Sequence, residues 1–327
     1  MPVKLRIATF NLENLDDIEG QKPSLDDRIA VMQPQLARLR ADILCLQEIH
    51  GQESQGQPRS LLALDRLLAG TQYANYNRVS TKTQNNEVFN ERNLVILTHF
   101  EILEHGQFKH DFARAPRYQK VTAKPAETEA KDITWERPIL HAKIKLDAAR
   151  SINVINLHLK SKLPTTISGQ VDRDVWNTSS AWAEGFFISS MKRVGQAVET
   201  RMLIDDLLDK DAQAMIVVCG DFNADSDDVP VEAIRGDIEN TNNPLLARRV
   251  MVPCEMTIPE SSRFSLKHLG RGNMLDHLLV SRNLLAFYRG AEIHNELLHD
   301  ESIAFATDQK FPESDHAPVI AEFELPD

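Results

Sequence analysis

Apolar residues in this chain gather in short runs that alternate with longer stretches whose apolar positions recur at helical spacing. The short runs predict strands over 5–10, 43–47, 94–98, 139–146, 152–158, 215–219, 277–280 and 319–323, several bounded by turn or charged residues. A first helix follows Ser24, with Asp27 completing an imperfect capping box, and puts Ile29, Met32, Leu36 and Leu39 on one face. A second covers 61–68. A third runs from 181 to 208, and Ala197, Leu203, Ile204, Leu207 and Leu208 form its core-facing stripe. Two polar, mixed stretches, 109–136 and 162–180, read as insertions or loops near the working face. The alternation predicts an α/β protein with sheets inside and helices outside, in one domain spanning 1–327.

Composition adjusts this picture in a few places. The chain has 327 residues, 42% of them hydrophobic, enough for a substantial core, and shows no low-complexity linker or internal repeat. Asp and Glu number 48 against 37 Lys and Arg, a formal charge of −11. That balance argues against general, non-specific polyanion binding. It leaves room for a nucleic-acid enzyme, because carboxylates collected at a metal site raise the acidic count. Cys45, Cys219 and Cys254 have no metal-ligand spacing and read as buried free thiols. No apolar run is long enough to span a bilayer, and the amino terminus reads as a strand instead of a signal peptide. The expected location is cytoplasmic, or secreted if a signal was removed before Met1.

The candidate chemistry lies at the strand ends. Asn11 ends RIATFN, Glu48 ends ILCLQE and His158 ends INVINLH. Asp221 and Asn223 follow MIVVCG, Asp276 precedes HLLVS, and Asp315 and His316 precede APVIAEF. Gathered on one edge, they make a cleft of carboxylates, amides and imidazoles. Phosphodiester hydrolysis needs such a set. The substrate is anionic and repels hydroxide, so a hard cation on carboxylate and amide oxygens must offset its charge. A carboxylate can take the proton from water, and an imidazole can protonate or stabilise the leaving oxygen.

The fragments TFNLEN, LQEI, GDFNA, MLDHLLVS and SDHAPV, in this order, resemble the endonuclease/exonuclease/phosphatase superfamily over residues 5–323. NERNLVIL and NLHLKSK look like its deoxyribonuclease-I-like branch, in particular bacterial nucleases. The resemblance implies a two-sheet, four-layer α-β-β-α sandwich. It implies that Glu48 is the main metal ligand, with Asn11 and Asp315 beside it, for Mg²⁺, with Mn²⁺ or Ca²⁺ as alternatives. Asp221 would orient or deprotonate the attacking water, and Asn223 would hold a phosphate oxygen. His316 would contact the scissile phosphate with Asp276 fixing its tautomer, and His158 would be a second imidazole paired with Glu91. Arg137 stands near the family's phosphate-contacting arginine, and Lys160, with Lys162 and Arg173, is a candidate phosphate rim. Two positions bear on groove contacts: His50 replaces an arginine that enters the DNA minor groove, and Phe89 stands where a sugar-stacking aromatic is expected.

Each residue also has a plainer reading. Asp221 and Asn223 can be a strand-to-turn Asx pair, Glu48 a surface strand end, His158 a satisfied core histidine and Arg137 a surface ion pair. His141, His294 and His299 read as structural or solvated. Trp176, Trp182, Phe186, Phe187 and Ile188 are read as packing for the start of the long helix, with membrane contact or base stacking as alternatives. The expected function is a monomeric, metal-dependent phosphodiesterase acting on nucleic acid, a DNA endonuclease of low sequence specificity. The alternatives are a lipid or inositol phosphate hydrolase of the same superfamily, and a non-catalytic binding module on this fold.

Overall fold

The computed structural model describes residues 2–54 and 56–326. In chain order its principal strands are β1 (Val3–Leu15), β2 (Ile43–Ile49), β3 (Asn77–Ser80), β4 (Asn93–Thr98), β5 (Ile102–Phe108) and β6 (Ile139–Lys145). They continue with β7 (Ser151–His158), β8 (Met215–Asp221), β9 (Met251–Pro253), β10 (Asp276–Ser281), β11 (Tyr288–Ile293) and β12 (Val319–Leu325). One six-stranded sheet has the order β11-β12-β1-β2-β4-β3, and the other β9-β10-β8-β7-β6-β5. Each is built around one parallel pair, β1 with β2 and β7 with β8, flanked by antiparallel strands.

Side chains alternate across a strand, so each sheet has two faces to cover. The facing sides bury Ile7, Ile43, Cys45 and Ile96 of the first sheet against Ala142, Val154, Val217 and Leu278 of the second. The first sheet's outer side buries Phe10, Leu44 and Leu46 against α1 (Leu25–Leu39) and α2 (Leu62–Leu68). The second sheet's outer side buries Ile155, Leu157 and Val218 against α3 (Ser179–Lys210) and α4 (Val229–Arg235). The result is a four-layer α-β-β-α sandwich. Strands buried on both faces read as continuous apolar runs, which is why the inner strands were visible in the sequence. Cys45, Cys219 and Cys254 are free and buried, as expected.

Helix α1 starts at Ser24, whose hydroxyl accepts from the Asp27 amide while the Asp27 carboxylate accepts from the Ser24 amide, so the capping box is complete. The stripe on α3 is buried at Ala197, Leu203, Ile204 and Leu208. Strands β3, β5, β9 and β11 were not expected, and all four are sheet edges. An edge strand is paired on one side and needs no apolar run; β5 is half-buried or exposed along its whole length.

The stretches 109–136 and 162–180 are loops carrying short two-stranded ribbons, and they pack on each other. Ala123, Ile133 and Ile167 enclose Ile188 of α3 in a small core of their own. Glu184 of α3 ties the first insertion down by accepting from the Val121 and Thr122 amides and the Tyr118 hydroxyl. The packing reading of the aromatic stretch holds for Trp176 and Ile188, whereas Trp182, Phe186 and Phe187 are 45%, 39% and 48% exposed.

At the end of β8, Gly220 has φ +134, and a Cβ there would stand 2.0 Å from the Leu157 carbonyl oxygen of β7. No side chain fits without separating the central parallel pair. Gly220→Ala is therefore expected to cost about 3 kcal/mol, from strain and overpacking combined. Urea unfolding monitored by circular dichroism measures this; an unchanged midpoint would mean that β7 and β8 can part at that position.

Candidate active site

The inward-facing files of side chains are apolar in the middle of the sandwich and turn polar at one rim. On β1, Leu5 and Ile7 give way to Thr9 and Asn11; on β2, Ile43 and Cys45 give way to Gln47. On β7, Ile152 and Val154 precede Asn156 and His158, and on β8, Val217 and Cys219 precede Asp221. The antiparallel β10 reaches the same rim with its first residue, Asp276, paired opposite Asp221. Parallel pairs bring their carboxyl ends to this rim and antiparallel neighbours bring their amino ends, so residues scattered along the chain converge. Below them Gln47 donates to Asn156 Oδ1 at 2.7 Å and to Thr9 Oγ1 at 3.0 Å, and Asn156 donates to the Leu46 and Val95 carbonyls at 3.0 Å. These fully buried amides form a floor shared by both sheets.

Glu48 reaches the rim by a different route. Strand alternation would point it outward with Leu44 and Leu46. It adopts φ 60, and the pairing of β2 with β4 slips between Leu46 and Ile49. This bulge re-aims the carboxylate, so that Oε1 lies 3.3 Å from His158 Nε2 and Oε2 accepts from the Asn14 amide at 3.0 Å.

Asp221 is the centre of the cluster. Its Oδ2 accepts from Asn11 at 3.1 Å and from the Asn223 side chain at 3.0 Å, and lies 3.3 Å from His158 Nε2. Its Oδ1 accepts from the Asn223 amide at 2.8 Å. Burial raises its pKa to about 7, with Asp276 and Glu48 adding to the rise and His316 opposing it. His316 Nδ1 lies 2.6 Å from Asp276 Oδ2, and its Nε2 is 3.9 Å from both Asp221 and Asp315. Burial disfavours the imidazolium, but Asp276, Asp221 and Asp315 outweigh it and hold His316 protonated well above the ordinary histidine range. His158 goes the other way: burial, reinforced by Arg137 and His316, keeps it neutral. The two imidazoles of one site are thus held in opposite charge states.

Asp315 is raised to about 6 by burial and by Glu48, and Glu13 to about 8 by burial and by Asp315. Glu13 was missed in the sequence. Its Oε2 accepts from the Asp315 amide at 3.0 Å, and Arg28 reaches beneath it to the Leu12 and Glu13 carbonyls. Its place two residues after Asn11 in TFNLEN was a local signal, whereas the long-range approach of Arg28 and Asp315 left none.

Arg137 is buried, donates to the His158 carbonyl at 3.0 Å and has a buried Nε with no partner among the described residues. Lys160 lies near it and Arg92 but donates to Ser161 Oγ at 2.8 Å. Lys162 is committed to Asp225 and Asp228 at 3.3 and 2.9 Å, so it is withdrawn from the expected phosphate rim. Glu91 is exposed, and no hydrogen bond or ion pair joins it to His158 among the described residues; Glu48 and Asp221 occupy that place. Asn223 also donates to the Leu159 carbonyl, which fixes the turn after β8. His50 is pinned by Asp16 and Asn14 instead of reaching outward.

The arrangement fits a cation. Ligand atoms of Glu48, His158 and Asp221 lie within 4.8 Å of one another. Buried Asp315 Oδ1 and Asp276 Oδ1 have no hydrogen-bond partner among the described residues. Carboxylates pushed up in pKa by burial and by each other are what a missing positive charge would leave. Of the expected ligands, Asn11 already uses both ends of its amide, accepting from the Glu13 amide at 2.9 Å and donating to Asp221.

The model of the Endonuclease/Exonuclease/phosphatase family matches residues 8–316. An endonuclease/exonuclease/phosphatase family protein from Bacteroides thetaiotaomicron is similar in structure at 16% identity and TM-score 0.57, over 100% of this chain and 96% of that one. Truncated Caenorhabditis elegans TDP2 is similar at 14% identity and TM-score 0.58, over 98% and 97%. An AP endonuclease from Archaeoglobus fulgidus is similar at 16% identity and TM-score 0.53, over 98% and 99%. At these identities the likeness is one of fold, the deoxyribonuclease-I-like sandwich. No curated protein matches the chain significantly by sequence.

The pKa directions set a stability test. Asp221, Asp315 and Glu13 bind protons more tightly folded than unfolded, so they erode stability as pH rises from about 4 to about 8. A cation that binds the ionised carboxylates should reverse this. The rise in melting temperature on adding 5 mM Mg²⁺ or Mn²⁺, roughly 100 times a site Kd of ~50 µM, should be larger at pH 8 than at pH 5.5, reaching about 2.7 kcal/mol of stabilisation. Scanning calorimetry at the two pH values checks it; equal or absent shifts would count against a preformed site.

Proposed function

The chain belongs to the endonuclease/exonuclease/phosphatase family, whose enzymes are metal-dependent phosphoesterases, and on that premise we propose that it hydrolyses phosphodiesters of nucleic acid as a DNA endonuclease of low sequence specificity. The observation that carries this reading is the convergence of Asp221, His158 and the His316–Asp276 pair above one buried floor, with buried Arg137 beside them. The site reads as hydrolytic by its own chemistry. Proteins of similar fold point to DNA: one is an AP endonuclease, another a Neisseria 3' phosphatase bound to a product DNA hairpin.

In this proposal Asp221 is the base. Asn11 and the Asn223 amide hold its carboxylate in one orientation, from which it can accept a proton from water. Asn223 and Arg137 bind phosphate oxygens, with Lys160 at the rim and Glu91 on the exposed approach. His316, charged and fixed by Asp276, offsets the negative charge that grows on the phosphate oxygens in the transition state. Neutral His158, with Nε2 between Glu48 and Asp221, is the second imidazole and orders those carboxylates. Glu48 and Asp315 would hold the cation, Mg²⁺ by the hardness of their oxygens or Mn²⁺ or Ca²⁺, with Asn11 adjacent; bound there, it would polarise the phosphate and neutralise the attacking side. Backbone contacts of this kind carry no base information, hence the low specificity.

A lipid or inositol phosphate substrate is the second reading, and the exposed Trp182, Phe186 and Phe187 are what favour it. Plasmid DNA, sphingomyelin and inositol phosphates assayed side by side with Mg²⁺ should give cleavage of DNA. Activity on lipid with none on DNA would overturn the proposal. His316→Ala should lower DNA cleavage about 10³-fold with folding retained; unchanged cleavage by the purified variant would mean that another site is responsible.

A further inference from the structure

A cleft of about 480 Å³ is shared with the proposed centre: His316 and Asn223 line it together with Trp182 and Phe186. Leu163 and Leu275 lie along its wall. The two aromatic rings are stacked, with centroids 5.6 Å apart and planes 15° from parallel. Both stand on the first turns of α3, held there by the Thr178 cap and by Glu184, which anchors the insertion 109–136. They are therefore pre-ordered but are not filling a core, since each keeps well over a third of its surface in water.

Resting on the nuclease reading, we propose that Trp182 and Phe186 form a stacking subsite for an unpaired nucleobase on the strand whose phosphate lies at His316 and Asn223. The chemistry selects this occupant. A parallel aromatic pair offers a flat, rigid face to a planar ring, and every base has one. In a duplex both faces of a base are covered by its neighbours, so the pair favours a single strand or a frayed end. The lysine lining the cleft, Lys162, is neutralised by Asp225 and Asp228, and Glu301 lies on the same wall. The subsite gives a use to Trp182 and Phe186, for which the sequence reading prefers packing and keeps base stacking as an alternative.

The test is the Trp182→Ala/Phe186→Ala double variant, with Trp182→Phe as the conservative partner, on the full chain with Mg²⁺. Substrates are a single-stranded thymidine oligonucleotide and the same oligonucleotide carrying a run of baseless sugars around one phosphate. For the intact oligonucleotide KM should rise about tenfold in the double variant with kcat within about twofold, and Trp182→Phe should restore most of it. Cleavage at the baseless run should be unchanged by either substitution. In EDTA, the oligonucleotide should quench tryptophan fluorescence in the original protein but not in Trp182→Phe. Oligonucleotide cleavage with the same KM in all three proteins overturns the subsite and leaves the nuclease reading intact. No cleavage of any oligonucleotide, with hydrolysis of sphingomyelin vesicles lost in the double variant, overturns both and assigns the pair to a lipid surface.

Discussion

Asp221 is held out of water at the rim where two sheets meet, and its charge must be met by groups from both. Asn11 comes from the first sheet and His316 from the loop entering β12, while His158 comes from β7 and Asn223 from the turn after β8 of the second sheet. A buried carboxylate without such partners would be too costly to keep. The site therefore exists only when the sheets are docked, and docking is acceptable at this rim only because the partners are there. The amide floor of Gln47 and Asn156 fixes the relative height of the sheets and so the height of every group above it.

That dependence bears on the backbone strain found at the rim. Glu13, Asn14, Glu48 and Asn223 all occupy the left-handed region, and all lie at this rim. Each such residue costs of order 1–3 kcal/mol and persists only where its surroundings hold it. At Glu48 the return is direct: without the bulge its carboxylate would join the outer, helix-covered face.

The same rim resolves the apparent conflict between an acidic chain and an anionic substrate. Glu13, Glu48, Asp221, Asp276 and Asp315 add to the net charge of −11 and gather at this rim, and Arg137, Arg92 and Lys160 stand around them. His316 and His158 divide the labour of charge, one held positive by the carboxylates and the other held neutral by burial and the nearby guanidinium. Overall charge is a poor guide here because the potential that matters is set within a few ångströms.

Much of this protein was legible in its sequence. The inner strands, the three long or amphipathic helices and the polar residues at the strand ends follow from local patterns: apolar runs where both faces are covered, and polar residues where a strand leaves the core. The central residues Glu48, His158, Asp221, Asn223, Asp276 and His316 were each visible in that way, and the tertiary structure brings them together. What it alone decided depends on contacts between distant segments. The edge strands carry no apolar run, since they bury little. The partner of His158 is Glu48 with Asp221 and not Glu91, because a bulge turns one side chain, and bulges depend on the pairing of distant strands. Glu13 joins the site through Asp315, three hundred residues away in the chain and 3.0 Å away in space. Lys162 is withdrawn by two aspartates, and Trp182 and Phe186 face a cleft instead of a core. Sequence pattern reports which residues a strand or helix must bury; which polar groups then meet is set by how the sheets, loops and insertions pack.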